Sequence, residues 1–326
     1  MIITRTPLRI SFVGGGSDLP QFWRGGEVGA VVSATIDKYV TIAVNDKFDG
    51  KVRASYSVTE NVDQATDLRH DLIREALAMV RPPFRHRGIE VVSIGDIPSG
   101  SGLGSSGAYG VGLLHALHVH RGERPSADEL AREACQLEVE RCGRDVGCQD
   151  QYTAAFGGLR HYQFVDSGTE IGHLADVWFL PIVPGMLARL EQRLLLLYLG
   201  NGRAAVDVLR KYRMDTGVLR ALAQLTGPAR EYLTAGELDA FGGLLHEGWA
   251  LKKRLSAHVT TPQIDESYNL ARELGALGGK VCGAGGGGFL LLYAPEWSHD
   301  AIVGALGLRQ VRFRFAARGS EVVYAG

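Results

Sequence analysis

Three glycine-rich segments constrain this sequence more than any of its other features. Glycine occurs 43 times among 326 residues and is concentrated at residues 14–16, 100–107 and 283–288. A glycine adds no side chain to a core and loses more conformational freedom on folding than any other residue, so such a concentration needs a compensating role. Close approach of the backbone to a ligand is one such role. We therefore predict that the three segments form loops of a binding site.

The central glycine segment, residues 98–107, reads PSGSGLGSSG and lies between a short apolar strand predicted at 89–94 and an apolar helix. Free N–H groups and the positive end of the helix dipole meet at such a position, which favours an anion. The hydroxyls of Ser105 and Ser106 can cap the helix or reach Mg²⁺. A serine-capped glycine turn without a ligand is the alternative interpretation. The residues predicted to bind the anion are Pro98, Gly100, Ser101, Gly102, Leu103, Gly104, Ser105 and Ser106.

The same stretch contains G-x-G-x-x-G at residues 102–107, a pattern typical of dinucleotide sites. That fingerprint needs a second strand after the helix, with an acidic residue at the strand's end. Glu123 follows the glycines by about twenty residues, as the acidic residue of the fingerprint does. However, residues 121–125 read as a loop that leads into another helix. The context therefore disfavours a nicotinamide cofactor. The sequence also lacks a Walker loop and a hydrolase G-x-S-x-G elbow.

The other two segments flank the central one along the chain. The first glycine segment, residues 6–20, reads TPLRISFVGGGSDLP, a strand that carries Arg9 and a glycine turn that presents Asp18. The third glycine segment, residues 280–289, reads KVCGAGGGGF and separates two apolar strands. A ligand that contacts the backbone closely would explain so long a run with so little side chain.

Patterning along the chain predicts an α+β protein of two domains. Strands dominate the first part, a capping box at 126–129 opens a helix predicted over 127–141, and helices dominate 203–274 before strands return. Alternation predicts a last strand over 311–315, with Arg312 and Arg314 on a solvated face. The shift in patterning predicts domains at 1–180 and 181–326.

Composition excludes several classes of protein. Lys and Arg number 35 and Asp and Glu 36, a balance that disfavours a nucleic-acid binder. No apolar run approaches the roughly 20 residues of a membrane helix, and the first residues lack the apolar core of a secretory signal. Four cysteines without zinc spacing predict reduced thiols in the cytoplasm. The sequence leaves the oligomeric state open.

Taken in order, the three segments resemble the motifs of the GHMP kinases (galactokinase, homoserine kinase, mevalonate kinase and phosphomevalonate kinase), and the resemblance runs from Ile2 to Phe315. It implies an N-terminal ATP-binding domain like ribosomal S5 domain 2, a ferredoxin-like C-terminal domain and a site between them. It also implies an enzyme that uses ATP and Mg²⁺ to phosphorylate a hydroxyl group.

Within the family, three stretches resemble kinases of D-glycero-D-manno-heptose 7-phosphate: CQDQYTAAFGG at 148–158, LLHEGWALKKRLS at 244–256 and GALGGKVCGAGGGGFLLLY at 275–293. Those enzymes phosphorylate the anomeric hydroxyl to give the 1,7-bisphosphate, a precursor of lipopolysaccharide heptose. Fucokinases have similar motifs and are the alternative. The ending GGGSD at 14–18, in place of G-E-H, disfavours galactose.

The resemblance also implies roles for individual residues. Asp150 is the catalytic carboxylate and Arg9 the cation beside it. Ser106, with Ser105 as the close alternative, and Glu138, preferred over Glu140, are the metal ligands. The residues implied for the acceptor are Gly16, Ser17, Asp18, Gly283, Ala284, Gly285, Gly286 and Gly287.

Two matters stay open at the level of sequence. Arg203, Lys252 and Lys253 are candidates to bind a substrate phosphate, although residues 252–254 read equally as a solvated helix face. The rival functions are a nicotinamide-dependent oxidoreductase and a sensor that keeps the fold without the chemistry.

Overall fold

A computed structural model describes residues 1–80, 88–166, 168, 174–182, 184–200 and 214–326. In this part of the chain the strands form two sheets. The strands are β1 (Ile2–Val13), β2 (Gly29–Lys47), β3 (Val52–Ser55), β4 (Thr59–Val62), β5 (Gly88–Gly95), β6 (Leu159–Phe164), β7 (Leu174–Phe179), β8 (Leu194–Gly200), β9 (Gly278–Val281), β10 (Gly288–Tyr293), β11 (Arg309–Gln310) and β12 (Glu321–Ala325).

The first sheet has the order β12-β1-β2-β5-β3-β4, with β6 pairing to β2 and β7 to β6, and the second has the order β11-β8-β10-β9. Every described pairing is antiparallel except that of β3 with β5. A dinucleotide-binding fold needs a parallel sheet built from strand–helix–strand units. The strand pairing therefore rules out the nicotinamide interpretation of residues 102–107.

Helices surround the two sheets. They are α1 (Pro20–Trp23), α2 (Asp71–Val80), α3 (Ser105–His120), α4 (Ala127–Cys135), α5 (Gln149–Phe156), α6 (Met186–Gln192), α7 (Thr216–Gln224), α8 (Thr226–Ala235), α9 (Leu238–Lys253), α10 (Pro262–Glu273) and α11 (His299–Leu306). No helix in the described ranges is long and apolar enough to cross a membrane.

Helix α3 packs against β1 and β2 of the first sheet, and its first residues lie at the site. Its leucines at 113, 114 and 117 are fully buried, as expected for a helix that is apolar on all sides. Gly112 lets α3 approach β1, because a Cβ there would lie 2.7 Å from the Thr6 hydroxyl. Gly107 does the same toward α5, where a Cβ would lie 2.7 Å from the Asp150 Cβ. The start of α3 is thereby held between β1 and α5.

The helix predicted at 127–141 begins with the predicted capping box. Ser126 accepts a hydrogen bond from the backbone of Glu129, whose side chain accepts one from the backbone of Ser126. Its last residues, Gln136–Arg141, form a π-helical turn, a feature frequent at functional sites.

The prediction of a strand at 311–315 is wrong. Only Arg309–Gln310 pairs as a strand, and residues 311–315 instead cross from the second sheet to the first. Val311 donates to the Leu196 carbonyl at 2.8 Å, whereas Arg314 donates from its backbone to Asp37 Oδ1 at 2.9 Å. The alternation reflects burial instead, because Val311, Phe313 and Phe315 pack against the core while Arg312 and Arg314 are exposed.

The end of the chain returns to its beginning. Strand β12 pairs with β1, so the first sheet contains residues from both ends of the sequence. The second sheet packs against α9 and α10 through a cluster that includes Leu197, Trp249, Tyr268 and Leu290. The domain division at residue 180 stays a prediction.

Candidate active site

The three glycine segments, which are far apart in sequence, converge on one cavity of about 140 Å³. It is lined by Gly15 and Gly16 of the first segment, by Gly100, Gly102 and Gly104 of the central segment, and by Gly283 and Ala284 of the third. A second cavity of about 510 Å³ adjoins it and shares Gly100, Ser105 and Ser106 with it. The two cavities meet at the start of α3.

The central glycine segment forms a loop that ends at the start of α3, as the sequence predicts. Gly100, Gly102 and Gly104 all have a positive φ, between 75° and 85°, and Gly104 is the N-cap of α3. Ser105 and Ser106 are the first two residues of the helix, where backbone N–H groups have no partner within the helix. The Ser105 hydroxyl is buried without a hydrogen-bond partner among the described residues. Donors thus face the junction of the cavities.

Asp150 and Arg9 form an ion pair in the wall of the smaller cavity. Asp150 is the second residue of α5, and Arg9 Nε and Nη2 lie 2.7 and 2.6 Å from its Oδ1. Arg9 Nη1 also donates to the Gly102 carbonyl at 2.7 Å. The Arg9 side chain is 4% exposed and that of Asp150 is 25% exposed. Arg9 is therefore fixed by its partners, while the carboxylate keeps one edge toward the cavity.

Glu138 also lies at the start of α3 and lines the smaller cavity. It is 1% exposed, it accepts hydrogen bonds from the Ser106 hydroxyl and from Gln151 Nε2, and its Oε1 lies 3.3 Å from Arg144 Nη1. Burial raises the pKa of the Glu138 carboxyl. Glu140, the other candidate, is exposed and lies 3.8 Å from Arg24. The structure therefore places Glu138, and not Glu140, beside Ser106.

Arg144 connects this group to α2. Its Nη1 donates to the Ser106 hydroxyl at 2.9 Å, and its Nη2 donates to both carboxylate oxygens of Asp71 at 2.8 and 3.0 Å. It lines the larger cavity together with Ser106 and Tyr109. Sequence reasoning did not single out Arg144 or Asp71, because nothing local marks two residues that meet across 73 positions.

Asp18 faces the smaller cavity from the first glycine segment. Its Oδ1 accepts from the Gly16 backbone at 2.8 Å and its Oδ2 from the Gln149 backbone at 3.3 Å. It is 3% exposed, and burial raises the pKa of its carboxyl. Gly147 leaves room for this carboxylate, since a Cβ there would overlap Oδ2 at 1.8 Å.

Ser17, which was predicted to contact the acceptor, is used differently. Its hydroxyl donates to the Gly14 carbonyl at 2.8 Å, lies 3.0 Å from the Ala30 carbonyl oxygen and accepts from the Ala30 backbone N–H. The side chain is fully buried and does not line the cavity. It closes the turn that presents Asp18.

The third glycine segment packs backbone against backbone. A Cβ on Gly283 would lie 2.5 Å from the Gly102 Cα, and one on Gly288 would lie 2.3 Å from the Ser101 carbonyl oxygen. A Cβ on Gly285 would likewise lie 2.4 Å from the Val259 carbonyl oxygen. Only Gly283 and Ala284 of the predicted acceptor residues in this segment reach the cavity lining. Residues 285–287 therefore support the site without lining it.

Three of the central-segment residues predicted to bind the anion also lie outside the lining of the smaller cavity. Pro98 lines the larger cavity. Leu103 is fully buried, and its carbonyl accepts from the Arg9 backbone at 3.0 Å. The Ser101 hydroxyl is buried without a partner among the described residues.

The sequence analysis missed Lys280 and left Lys252 among three candidates. Both side chains line the smaller cavity, at 5% and 4% exposure. Lys253 lies outside that lining and pairs with Asp265 at 3.1 Å, and Arg203 lies outside the described residues. The signal for Lys280 was available, because a lysine within a buried strand needs a reason to be there.

Two family models match the sequence. The model of the GHMP kinases N terminal domain matches residues 71–158, and the model of the GHMP kinases C terminal domain matches residues 229–305. The first match contains the central glycine segment, Glu138 and Asp150, and the second contains Lys252 and all of the third glycine segment.

Known proteins are similar over nearly the whole chain. The D-glycero-alpha-D-manno-heptose 7-phosphate kinase of Campylobacter jejuni is 29% identical, over 95% of this chain and 94% of its own. A bifunctional fucokinase/GDP-fucose pyrophosphorylase of Arabidopsis thaliana is 26% identical over 89% of this chain, which spans 29% of that protein. The crystal structure of a D-glycero-D-manno-heptose 1-phosphate kinase from Bacteroides thetaiotaomicron covers all of both chains with a TM-score of 0.78 at 23% identity. The predicted two-domain GHMP kinase fold is confirmed.

Proposed function

This chain belongs to the GHMP kinase family and is a sugar kinase, and we propose that it transfers the γ-phosphoryl group of ATP to the anomeric hydroxyl of D-glycero-D-manno-heptose 7-phosphate. The observation that carries the proposed chemistry is the Asp150 carboxylate, held by Arg9 beside the glycine-rich start of α3. The 29% identity to the Campylobacter jejuni enzyme supports the choice of acceptor.

The nucleotide is proposed to bind across the start of α3. Residues 98–106 offer backbone donors and hydroxyls to the phosphates, as helix N-termini do for anions. The larger cavity on the same side has room for the base and ribose and is lined by Ile97, Leu72 and Tyr109. The γ-phosphoryl group would then reach the smaller cavity at Ser105 and Ser106, which both cavities share.

Magnesium is proposed to bind at Ser106 and Glu138. A hydroxyl and a carboxylate in contact supply the oxygen ligands that Mg²⁺ prefers, and phosphate oxygens of ATP would complete the set. A bound metal neutralises charge on the phosphates during transfer. Arg144, which contacts both residues, holds them in place.

The acceptor is proposed to bind between Asp18 and Asp150. Asp18 and the backbone of Gly16 would hold sugar hydroxyls, while Asp150 orients the anomeric hydroxyl and accepts its proton. The sugar oxygen then bonds to the γ-phosphorus as the bond between that phosphorus and the bridging oxygen of ADP breaks. Arg9 keeps the Asp150 carboxylate in position and adds positive charge beside the transferred group.

An ADP-release assay with a panel of acceptors tests the proposed function. We expect the highest kcat/KM for heptose 7-phosphate, with L-fucose, galactose and mevalonate far below it. A preference for unphosphorylated fucose would replace the acceptor and favour a fucokinase, in line with the similarity to the plant protein. No ADP from any acceptor, together with binding of MgATP in a thermal-shift assay, would indicate a sensor.

The cellular role is part of the same proposal. We propose that the enzyme acts in the cytoplasm, where ATP is available, and that its product enters the synthesis of lipopolysaccharide heptose.

A further inference from the structure

Two buried lysines line the smaller cavity, and neither has an acidic partner in the part of the chain that the structure describes. Lys280 Nζ donates to the Phe12 carbonyl at 3.1 Å, and Lys252 Nζ donates to the Gly283 carbonyl and, at 3.5 Å, to that of Val281. Among the described residues, neither ammonium lies within ion-pairing distance of a carboxylate, although Asp18 is near enough to favour their charged forms. Each has donors left for a ligand.

Such a pair is unfavourable in the protein alone. Burial lowers the pKa of Lys280 to about 8, and burial together with the charge of Lys280 lowers that of Lys252. Arg9 disfavours both charges further. Buried charges of one sign are retained where they serve a purpose, and an anion that enters the cavity would compensate for them.

The carbonyl partners of the two lysines show which parts of the site their ammonium groups lie between. Phe12 precedes the glycine turn of the first segment, which carries Asp18 on the acceptor side. Gly283 lies against Gly102 of the central segment, on the nucleotide side. The two ammonium groups therefore lie where the two sides meet, next to Arg9.

We propose that Lys252 and Lys280 are catalytic residues that bind the phosphoryl group while it passes from ATP to the acceptor. This inference rests on the proposed kinase function. As the bond to ADP breaks and the bond to the sugar oxygen forms, negative charge remains on the three non-bridging oxygens, and the two ammonium groups donate hydrogen bonds to them. A phosphate carried by the acceptor is the other source of an anion here, and the experiment distinguishes the two.

Methionine variants of both lysines test the proposal, because methionine keeps most of the side-chain volume and removes the charge. We expect Lys280→Met and Lys252→Met each to lower kcat by roughly 10²–10³-fold, as loss of one transition-state donor does, with the KM for ATP nearly unchanged. Lys253→Met is the matched control, because Lys253 pairs with Asp265 outside the cavity, and it should keep kcat. Near-normal kcat in both cavity variants would overturn the proposal.

A binding measurement separates the two sources of the anion. MgADP with aluminium fluoride and acceptor imitates the group in transfer, and we expect it to raise the melting temperature of the wild type but not of Lys280→Met, while MgADP alone stabilises both. A defect confined to the KM of phosphorylated acceptors would assign the lysines to the acceptor's phosphate and overturn the proposal. Absence of ADP formation by the wild type would instead overturn the proposed function itself.

Stability distinguishes catalysis from support. Burial lowers the pKa of Lys280 from 10.5 to about 8, so between these pH values the unfolded chain binds more protons than the folded one. The buried charge of Lys280 therefore lowers the free energy of unfolding most at a pH below about 8. Lys280→Met should therefore melt no lower than the wild type. A lower melting temperature with kcat retained would mean that the bond to Phe12 matters only for the fold.

The pH profile gives an independent readout. Four charged or titratable groups surround Lys280. They are Cys282 from its own segment, Arg9 and Asp18 from the first glycine segment, and Lys252 from α9. Since deprotonation removes the charge, kcat/KM should fall as pH rises through about 8 in the free enzyme. Lys280→Arg should move this alkaline limb upward. An unmoved limb would contradict the assignment.

Discussion

The central and third glycine segments look alike in sequence and face each other across the site, yet Gly100 of the central segment has a different role from Gly283, Gly285 and Gly288 of the third. A Cβ on Gly100 would meet nothing within 4 Å, because this residue borders open space at the junction of the two cavities. A Cβ on Gly283, Gly285 or Gly288 would overlap backbone atoms of another segment at 2.3–2.5 Å. Gly100 therefore leaves space for a ligand, whereas the glycines of the third segment, and Gly102 where a Cβ would lie 2.5 Å from the Cys282 carbonyl oxygen, leave space for the protein's own chain.

The difference extends to the neighbouring side chains. Asp150, Ser106 and Glu138 lie around the start of α3, whereas the glycine run 283–288 supplies only Gly283 and Ala284 to the lining, and the one reactive lining side chain of the third segment is Lys280, ahead of that run. Glycine content alone therefore does not indicate where the chemistry lies. Four substitutions test this comparison, and they are taken from the largest expected effect to the smallest.

Asp150→Asn should have the largest effect, because it keeps the shape of the side chain and removes the proton acceptor. We expect kcat to fall by roughly 10²–10⁴-fold, the usual contribution of a positioned acid or base. Binding of MgATP should survive, since the phosphates are held by the central segment. Steady-state kinetics and thermal shift check both. Asp128→Asn on the surface of α4 is the control, and near-normal kcat in Asp150→Asn would contradict the role.

Gly288→Ala should disrupt the packing of the third glycine segment against the central one and destabilise the protein. Gly288 has φ 85° and no room beside the Ser101 carbonyl, so strain and overlap together should lower the free energy of unfolding by about 3 kcal/mol or more. Urea denaturation measures it. Gly122→Ala has the same φ of 85° but open space, and it should cost only about 1 kcal/mol. Equal costs would remove the distinction between packing and strain.

Glu138→Gln and Glu140→Gln form a matched pair on one π-helical turn. Glu138 contacts Ser106, whereas Glu140 faces outward, so only Glu138→Gln should weaken Mg²⁺-dependent nucleotide binding, by about 10-fold or 1.4 kcal/mol. Titration of Mg²⁺ at fixed ADP, followed by calorimetry, checks this. An effect of Glu140→Gln alone would transfer the metal to the other carboxylate.

Gly100→Ala should have the smallest effect on stability. Its φ of 75° implies a strain of about 1 kcal/mol without overlap. The added methyl group would stand at the junction of the cavities, so the KM for ATP should rise while the KM for the acceptor stays near normal. A change in the acceptor KM alone would place the nucleotide elsewhere.

Much of the local structure was predictable from sequence because its causes lie within a few residues. The strand Ile2–Val13, the helix Asp71–Val80 and the capping box at Ser126 follow from patterning and short-range hydrogen bonds. The same is true of the loop before α3, where the glycines take the positive φ that other residues avoid. The resemblance to a kinase family then ordered the three segments around one site.

Tertiary structure decided which of the singled-out side chains face the cavity. Ser17 turns inward because Gly14 and Ala30 offer carbonyls, and Glu138 is separated from Glu140 by the local turn and the position of Ser106. Lys280 belongs to the site because its ammonium group reaches the Phe12 carbonyl near the end of β1, and these two residues are 268 positions apart in sequence. A residue's local sequence fixes its backbone preference, but its partner, its burial and hence its charge depend on segments that only the fold brings together.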